Sequence, residues 1–158
     1  MPTASVTESE VHTMQWKEEA MEKLKRYAAM RTAEKNIPEQ ICMLETSAAT
    51  LRSSAAPKVG GRGGVRARED ALINNMAERQ ELEWNLARVK QWLAVTNRGL
   101  NALSNEEMII LQRMYLYPER GAVDRLCGDL GVEQATVYRK RDKALRKFTF
   151  ALYGFPET

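Results

Sequence analysis

Six basic side chains lie close together near the C-terminal end of the chain. Between Gln134 and Phe150 there are six cations and one anion, a balance of +5, whereas residues 101–133 contain three cations and six anions, a balance of −3. The cations are Arg139, Lys140, Arg141, Lys143, Arg146 and Lys147. Guanidinium and ammonium groups bind phosphate oxygens, and basic charge confined to one segment is the electrostatic footprint of nucleic-acid binding.

The sequence contains few residues of the types that catalyse reactions or bind metals. Histidine occurs once and cysteine twice, and no Cys–His group has the spacing of metal ligands. The glycine-rich segment at 60–64 does not follow a predicted strand, so it does not match a phosphate loop or a dinucleotide-binding turn. The sequence therefore predicts a protein that is not an enzyme and that uses no metal or cofactor.

Two helices are predicted to precede and position the basic segment. Ser104 and Glu107 have the spacing of a capping box, so the first helix begins there. Its apolar face at helical spacing comprises Ile109, Ile110, Leu111, Met114 and Tyr115. Pro118 and Gly121 interrupt the chain before the second helix. The inward residues of the second helix are Val123, Leu126, Cys127 and Leu130.

A tight turn leads into the last helix. Gly131 adopts a left-handed backbone at little cost, which suits a turn between two helices. The buried face of the last helix is predicted to comprise Val137, Ala144, Leu145 and Phe148, with Val132 filling the angle between the helices. This arrangement is typical of a helix-turn-helix that ends in a basic recognition helix.

The turn and the last helix resemble the recognition helix of bacterial sigma factor region 4 and of its helix-turn-helix relatives. The matching residues are Leu130-Gly131-Val132, Val137 and Ala144-Leu145-Arg146-Lys147-Phe148, without a gap. The whole chain, with a helical part before this module, resembles phage late-gene transcriptional regulators of the RinA/ArpU kind. Two residues depart from the pattern: Glu133 replaces the usual Ser or Thr cap and is a poor N-cap, and Lys140 replaces an apolar residue.

The resemblance implies that residues 133–148 enter the major groove of duplex DNA. The residues expected to face base edges are Gln134, Ala135, Tyr138 and Arg139. Gln134 can pair with adenine and Arg139 with guanine in bidentate fashion. The residues expected to contact phosphates are Arg125, Lys140, Arg141, Lys143, Arg146 and Lys147.

Long helices are predicted upstream of this module. One runs from about Thr7 to Asn36, and the next begins at Ile37, because Pro38 suits the first turn of a helix. Its heptad seam is Ile37, Ile41, Leu44, Ala48, Leu51 and Ala55. A third helix, Arg68 to Arg98 with Gly99 as C-terminal cap, has the seam Leu72, Leu82, Leu86, Val89, Leu93 and Leu100, interrupted at Arg79.

These elements predict an all-α fold, with an N-terminal long-helix bundle or coiled coil followed by a C-terminal helix-turn-helix domain. The expected division is a helical hairpin over 1–56, a glycine-rich basic linker over 57–67, a connecting helix over 68–102 and a region 4-like domain over 103–158. No apolar run approaches the ~20 residues of a membrane span. Without a signal peptide, the chain is expected in the cytoplasm of a bacterial host cell.

Three functions fit these patterns. The favoured one is a sequence-specific transcription regulator of phage or prophage type, which binds double-stranded DNA as a homodimer through its N-terminal helices, with RNA polymerase as a further candidate partner. The second is a helical interaction protein that binds a host machine such as RNA polymerase and inhibits or redirects it. The third is a phage packaging-initiation protein, although such proteins usually place the DNA-binding part first.

Overall fold

The computed structural model is all-helical. It describes the backbone of residues 8–53 and 62–154 and the side chains of residues 15–53 and 63–154. The helices are α1 (Glu8–Lys25), α2 (Tyr27–Ser53), α3 (Arg62–Asn101), α4 (Asn105–Leu111), α5 (Ala122–Leu130) and α6 (Gln134–Tyr153), and a π-helical turn, Gln112–Leu116, continues α4. No strand occurs in the described part of the chain, which confirms the predicted all-α class. None of these helices is long and apolar enough to cross a membrane.

The first two helices meet at Arg26. The predicted boundary between Asn36 and Ile37 is wrong, because α1 ends and α2 begins on either side of Arg26 and Pro38 lies inside α2. A proline inside a helix removes one backbone hydrogen bond and crowds the preceding turn, at a cost of about 3 kcal/mol. Burial along the same helix offsets this cost, since Ile37 is only 9% exposed and burying such a side chain contributes roughly 1.5–3 kcal/mol.

The third helix begins earlier than the sequence predicts. It starts at Arg62 and not at Arg68, so the last part of the predicted linker over 57–67 is helical. Extending an existing helix needs no new nucleus, and each glycine in the extension costs only about 1 kcal/mol relative to alanine. Residues 57–61 of the predicted linker, and residues 1–7 and 54–56 of the predicted hairpin, lie outside the described residues.

Gly99 does not end the third helix. The prediction that it is the C-terminal cap is wrong, because α3 continues to Asn101 and Gly99 is buried within it. A Cβ atom at Gly99 would lie 2.9 Å from Cγ of Leu152 and 2.9 Å from two ring carbons of Phe148. The missing side chain therefore allows a close approach between α3 and α6.

The residues group into two compact units. The composite unit combines Met1–Ala29 with Leu93–Thr158, and the two-helix unit is Met30–Trp92. The boundaries fall inside α2 and α3, so each of these helices contributes to both units. The predicted four-part division of the chain stays a prediction.

In the two-helix unit, two polar contacts join α2 and α3, and the predicted seam residues of both helices are buried or half-buried. Buried or half-buried seam residues are Ile37, Ile41, Leu44, Ala48 and Leu51 on α2, and Leu72, Leu82, Leu86 and Val89 on α3. Nδ2 of Asn75 donates a 2.8 Å hydrogen bond to the Leu44 carbonyl oxygen. At the predicted interruption of the seam, Nη1 of Arg79 lies 3.9 Å from a carboxylate oxygen of Glu45. Of the three remaining seam residues, Leu93 and Leu100 are buried in the composite unit, and Ala55 lies outside the described residues.

The core of the composite unit forms around α6. The predicted inward residues of this helix, Val137, Ala144, Leu145 and Phe148, are all 0% exposed, which confirms that face. Three of them cluster with residues of the other elements: Ala20, Leu24, Leu100, Leu111, Tyr115 and Leu116. An ion pair between Lys17 Nζ and Asp142 Oδ1, 2.9 Å apart, adds a polar contact between α1 and α6. Side chains from α1, α3, α4 and the π-helical turn thus hold one face of α6.

The close approach at Gly99 predicts a destabilising substitution. In Gly99→Ala the added methyl group meets the Phe148 ring, and overpacking of this kind costs about 1–3 kcal/mol. The higher helix propensity of alanine offsets about 1 kcal/mol of this loss in stability. We expect the free energy of unfolding, measured by urea denaturation followed by circular dichroism, to fall by up to about 2 kcal/mol.

The matched control is Gly128→Ala. Gly128 lies exposed inside α5, and a Cβ atom there would have nothing within 4 Å. Helix propensity then acts alone, and the free energy of unfolding should rise by up to about 1 kcal/mol. Equal stability of the two variants would show that α3 and α6 do not meet closely at Gly99.

Candidate nucleic-acid interface

Helix α4 begins with the predicted capping box. The Ser104 backbone N–H donates to Oε2 of Glu107 at 2.9 Å, and the Glu107 backbone N–H donates to Oγ of Ser104 at 3.2 Å. These bonds satisfy two backbone donors at the helix start and fix the Glu107 carboxylate in place. Ile109 was predicted on the buried face but is 42% exposed, because three successive residues of a helix cannot all face one side.

The turn between α5 and α6 has the predicted left-handed glycine. Gly131 has φ +63°, and the Val132 backbone N–H donates to the Cys127 carbonyl oxygen at 3.2 Å. Val132 is partly buried against a cluster formed by Ile110, Leu126 and Val137 from the three helices. Glu133 is the N-cap of α6 and forms no side-chain cap bond, as expected for a poor capping residue.

Helix α6 has an apolar face that points inward and a polar face that points outward. The four predicted base-contacting residues, Gln134, Ala135, Tyr138 and Arg139, are all exposed in its first two turns. Lys143 and Arg146 are also exposed, further along the same helix. The contacts assigned to these residues stay predictions, but none of the six side chains is needed to fill the core.

Four of the six predicted phosphate-contacting cations form ion pairs with carboxylates of the composite unit. Lys140 pairs with Glu106, and Lys147 pairs with Glu107 at 3.0 Å. The remaining two pairs are Arg141 with Asp142 at 2.8 Å and Arg125 with Glu119 at 3.2 Å. Each of these four cations therefore has a carboxylate partner within the unit, and Asp142 is shared between Arg141 and Lys17.

The cations without such partners share one side of α6. Neither Lys143 nor Arg146 forms an ion pair with any described residue, and Arg139 donates only a 3.3 Å hydrogen bond to Oγ1 of Thr136. Positions 139, 143 and 146 follow one another by four and three residues, so they lie on the same helical face. This face presents net positive charge to solvent.

Arg141 is held against the protein and not turned to solvent. Its guanidinium carbon lies 4.9 Å from the centre of the Tyr138 ring, a distance suited to a cation–π contact. Burial lowers the pKa of Arg141, but its hydrogen bond to Asp142 and its proximity to Tyr115 outweigh this effect and raise it. Arg141 therefore also orients the exposed Tyr138 ring on α6.

The pairs at Glu107 and Asp142 favour the charged forms of both acids. Burial alone would raise the pKa of Glu107, but the Ser104 backbone hydrogen bond and the Lys147 ammonium group lower it below its ordinary value. Burial would likewise raise the pKa of Asp142, and the hydrogen bonds from Lys17 and Arg141 lower it. Both ion pairs are therefore complete at neutral pH.

Sequence reasoning missed the acidic partners of the basic helix. Glu107 was recognised only as a capping residue, and the pairing of Glu106 with Lys140 was not foreseen. A signal was present, since Lys140 stands where the resembling family has an apolar residue. A cation at a partly inward position needs a local carboxylate when it is removed from water.

Comparisons of the chain with protein families, with curated proteins and with solved structures found no match.

The Glu107–Lys147 pair predicts a pH-dependent contribution to stability. Glu107→Gln keeps a capping side chain but loses the ion pair. Because the pKa of Glu107 is lowered on folding, the stabilisation is present above the ordinary glutamate value of about 4.3 and is lost as the pH falls through the lowered value. At pH 7 we expect the variant to lose about 1 kcal/mol, a modest value because the Lys147 side chain is 42% exposed.

Urea denaturation across a pH series measures this difference. The difference between wild type and Glu107→Gln should shrink towards zero below the ordinary glutamate pKa. Glu119→Gln is the control, because Glu119 pairs with Arg125 on the open surface and such pairs contribute little. A Glu107→Gln defect that is the same at every pH would indicate disturbed packing and not a lost ion pair.

Proposed function

We propose that this protein is a sequence-specific transcription regulator of phage or prophage type that binds double-stranded DNA. In this proposal α4, α5 and α6 form a helix-turn-helix module similar to sigma factor region 4, and α6 lies in the major groove. The supporting observation is the separation of faces on α6. The apolar face is fully buried, whereas Arg139, Lys143 and Arg146 are exposed together on the other side.

The dimensions of α6 suit a DNA groove. The helix has 20 residues, which at 1.5 Å per residue is about 30 Å of length. With its side chains a helix is about 10–12 Å across, and the major groove is about 12 Å wide. The buried face keeps α6 attached to the unit while the exposed face meets the DNA.

The first turns of α6 are the proposed reading surface. Gln134 and Arg139 have the side-chain geometry for bidentate pairing with adenine and guanine, respectively. Ala135 offers a small apolar surface for a thymine methyl group. Tyr138, held against Arg141 at 4.9 Å, reaches the groove in a fixed orientation and therefore loses little rotamer freedom on binding.

Lys143 and Arg146 are the principal proposed phosphate contacts. Both are exposed and have no described carboxylate partner, so a phosphate oxygen can bind them without displacing an acid. Arg125, Lys140, Arg141 and Lys147 must each exchange a carboxylate for a phosphate. An exchange of this kind adds less to affinity than a new contact, because one ion pair is broken as another forms.

The number of freely available cations predicts the salt dependence of binding. With two or three cations on phosphates, raising the salt from 50 to 200 mM should weaken binding about 10- to 40-fold, whereas six would weaken it about 2,000-fold. Titration of a labelled duplex, followed by fluorescence anisotropy, measures this slope. Absence of binding to every duplex at low salt would contradict the proposal.

Removing the carboxylate partner of Lys140 tests the salt dependence of DNA binding directly. Glu106→Gln removes this partner, so the salt slope should become steeper by about one phosphate contact. Glu81→Gln is the matched control, because Glu81 is an exposed residue of the two-helix unit and the change in net charge is the same. If both variants steepen the slope equally, net charge and not Lys140 determines it.

Two arginine variants separate base reading from phosphate binding. Arg139→Ala should lose about 1–3 kcal/mol of discrimination between the preferred duplex and one with the paired guanine changed. Arg146→Ala should weaken binding to both duplexes alike and reduce the salt slope by about one contact. The preferred duplex is first selected from a random pool with the wild-type protein. Sequence-blind losses from both variants would show that Arg139 does not read a base.

A further inference from the structure

The two-helix unit exposes large apolar side chains on α3. Ile73 is 62% exposed, Met76 55% and Trp84 69%, and Ala77 and Ala87 are exposed beside them. At about 100° of rotation per residue, all five lie within about 60° of Ile73 around the helix. Exposed Gln80 lies on the same face between Ala77 and Trp84, and we call the five apolar residues the open stripe.

The open stripe is distinct from the seam that contacts α2. Asn75 and Arg79 mark the seam, since they contact Leu44 and Glu45 of α2. From helical rotation, the centre of the stripe lies about 150° away from the centre of the seam. Helix α3 therefore has two apolar faces in this unit, and α2 covers only one. A helix with apolar residues on two opposite sides is typical of one that packs between neighbours.

A half-turn about the middle of the open stripe pairs apolar residues at Ile73 and Trp84 and opposite charges at Glu69 and Arg88. Counted along the sequence, the midpoint between Ile73 and Trp84 is also the midpoint between Glu69 and Arg88. If two copies of α3 lie antiparallel about this point, Ile73 of one copy faces Trp84 of the other. Glu69 then faces Arg88 at both ends of the contact, so opposite charges meet twice.

Glu69 and Arg88 are available for such contacts. Both are exposed, and neither forms an ion pair with another described residue. A parallel arrangement in register would instead place each charge opposite an identical one. Like charges directly opposite each other are destabilising. The charge pattern therefore distinguishes the antiparallel arrangement from the parallel one.

We propose that a second copy of this chain docks on the open stripe, with the two α3 helices antiparallel about the midpoint of Ile73 and Trp84. The contact is isologous, because the same surface is used by both copies. The α3 seam that the sequence offered as a dimer surface contacts Leu44 and Glu45 of α2 within one chain, so the proposed dimer uses the opposite side of α3. The inference does not depend on DNA binding, and its test contains no DNA.

The mass of the full chain in solution tests the proposal. Light scattering over a concentration series should give twice the 18.0 kDa of one chain at tens of micromolar. Ile73→Glu and Trp84→Glu should each raise the dissociation constant at least about tenfold, because each places charge in an apolar contact. Met43→Glu is the control: Met43 is 71% exposed but lies on α2, so the dimer should persist. Circular dichroism verifies that every variant is folded.

A charge swap tests the antiparallel arrangement. Glu69→Lys and Arg88→Glu should each weaken the dimer, because each sets like charges opposite one another. The double variant should return to within about threefold of the wild-type dissociation constant, since the opposite signs are restored. If the wild-type protein has the mass of a monomer at every concentration, the proposal is overturned. The open stripe would then be a surface for a different protein. Failure of the double variant to recover would overturn the proposal as well.

Discussion

The contact between Phe148 and the bare backbone of Gly99 sets how closely α6 approaches α3. Because no Cβ atom intervenes, the Phe148 ring is fully buried, and Ala144 and Leu145 are buried with it. Side chains of α1, α4 and the π-helical turn close around the same three residues. Once this face is fixed, the period of the helix determines which side chains of α6 remain outside.

Acidic residues of the composite unit then pair with some of the cations on α6. Glu106, Glu107 and Asp142 each hold one cation of α6, which leaves Arg139, Lys143 and Arg146 as the exposed basic face. A helix with fewer free cations binds any nucleic acid less tightly, since the sequence-independent part of affinity scales with the number of phosphates neutralised. In a DNA-binding protein, this would increase the share of binding that depends on base contacts.

The two-helix unit places its internal seam and its exposed apolar stripe on opposite sides of α3. The internal seam includes Asn75 and Arg79, which contact Leu44 and Glu45 of α2. The open stripe has no such polar residue at its large positions, Ile73, Met76 and Trp84. A polar seam favours one register at some cost in stability, whereas an exposed apolar stripe contributes most of its free energy only when another surface covers it.

The sequence by itself determined the features that depend on near neighbours. The capping box of Ser104 and Glu107, the left-handed turn at Gly131 and the buried face of α6 follow from local spacing and backbone preference, and all three predictions are confirmed. Only the tertiary structure decided that Gly99 serves packing and that Pro38 lies inside a helix. It also decided that Lys140 and Lys147 pair with acids 34 and 40 residues away. These roles depend on which residues from distant parts of the sequence pack against the position. The free energy of those contacts outweighs the local conformational preference of a glycine, a proline or a lysine.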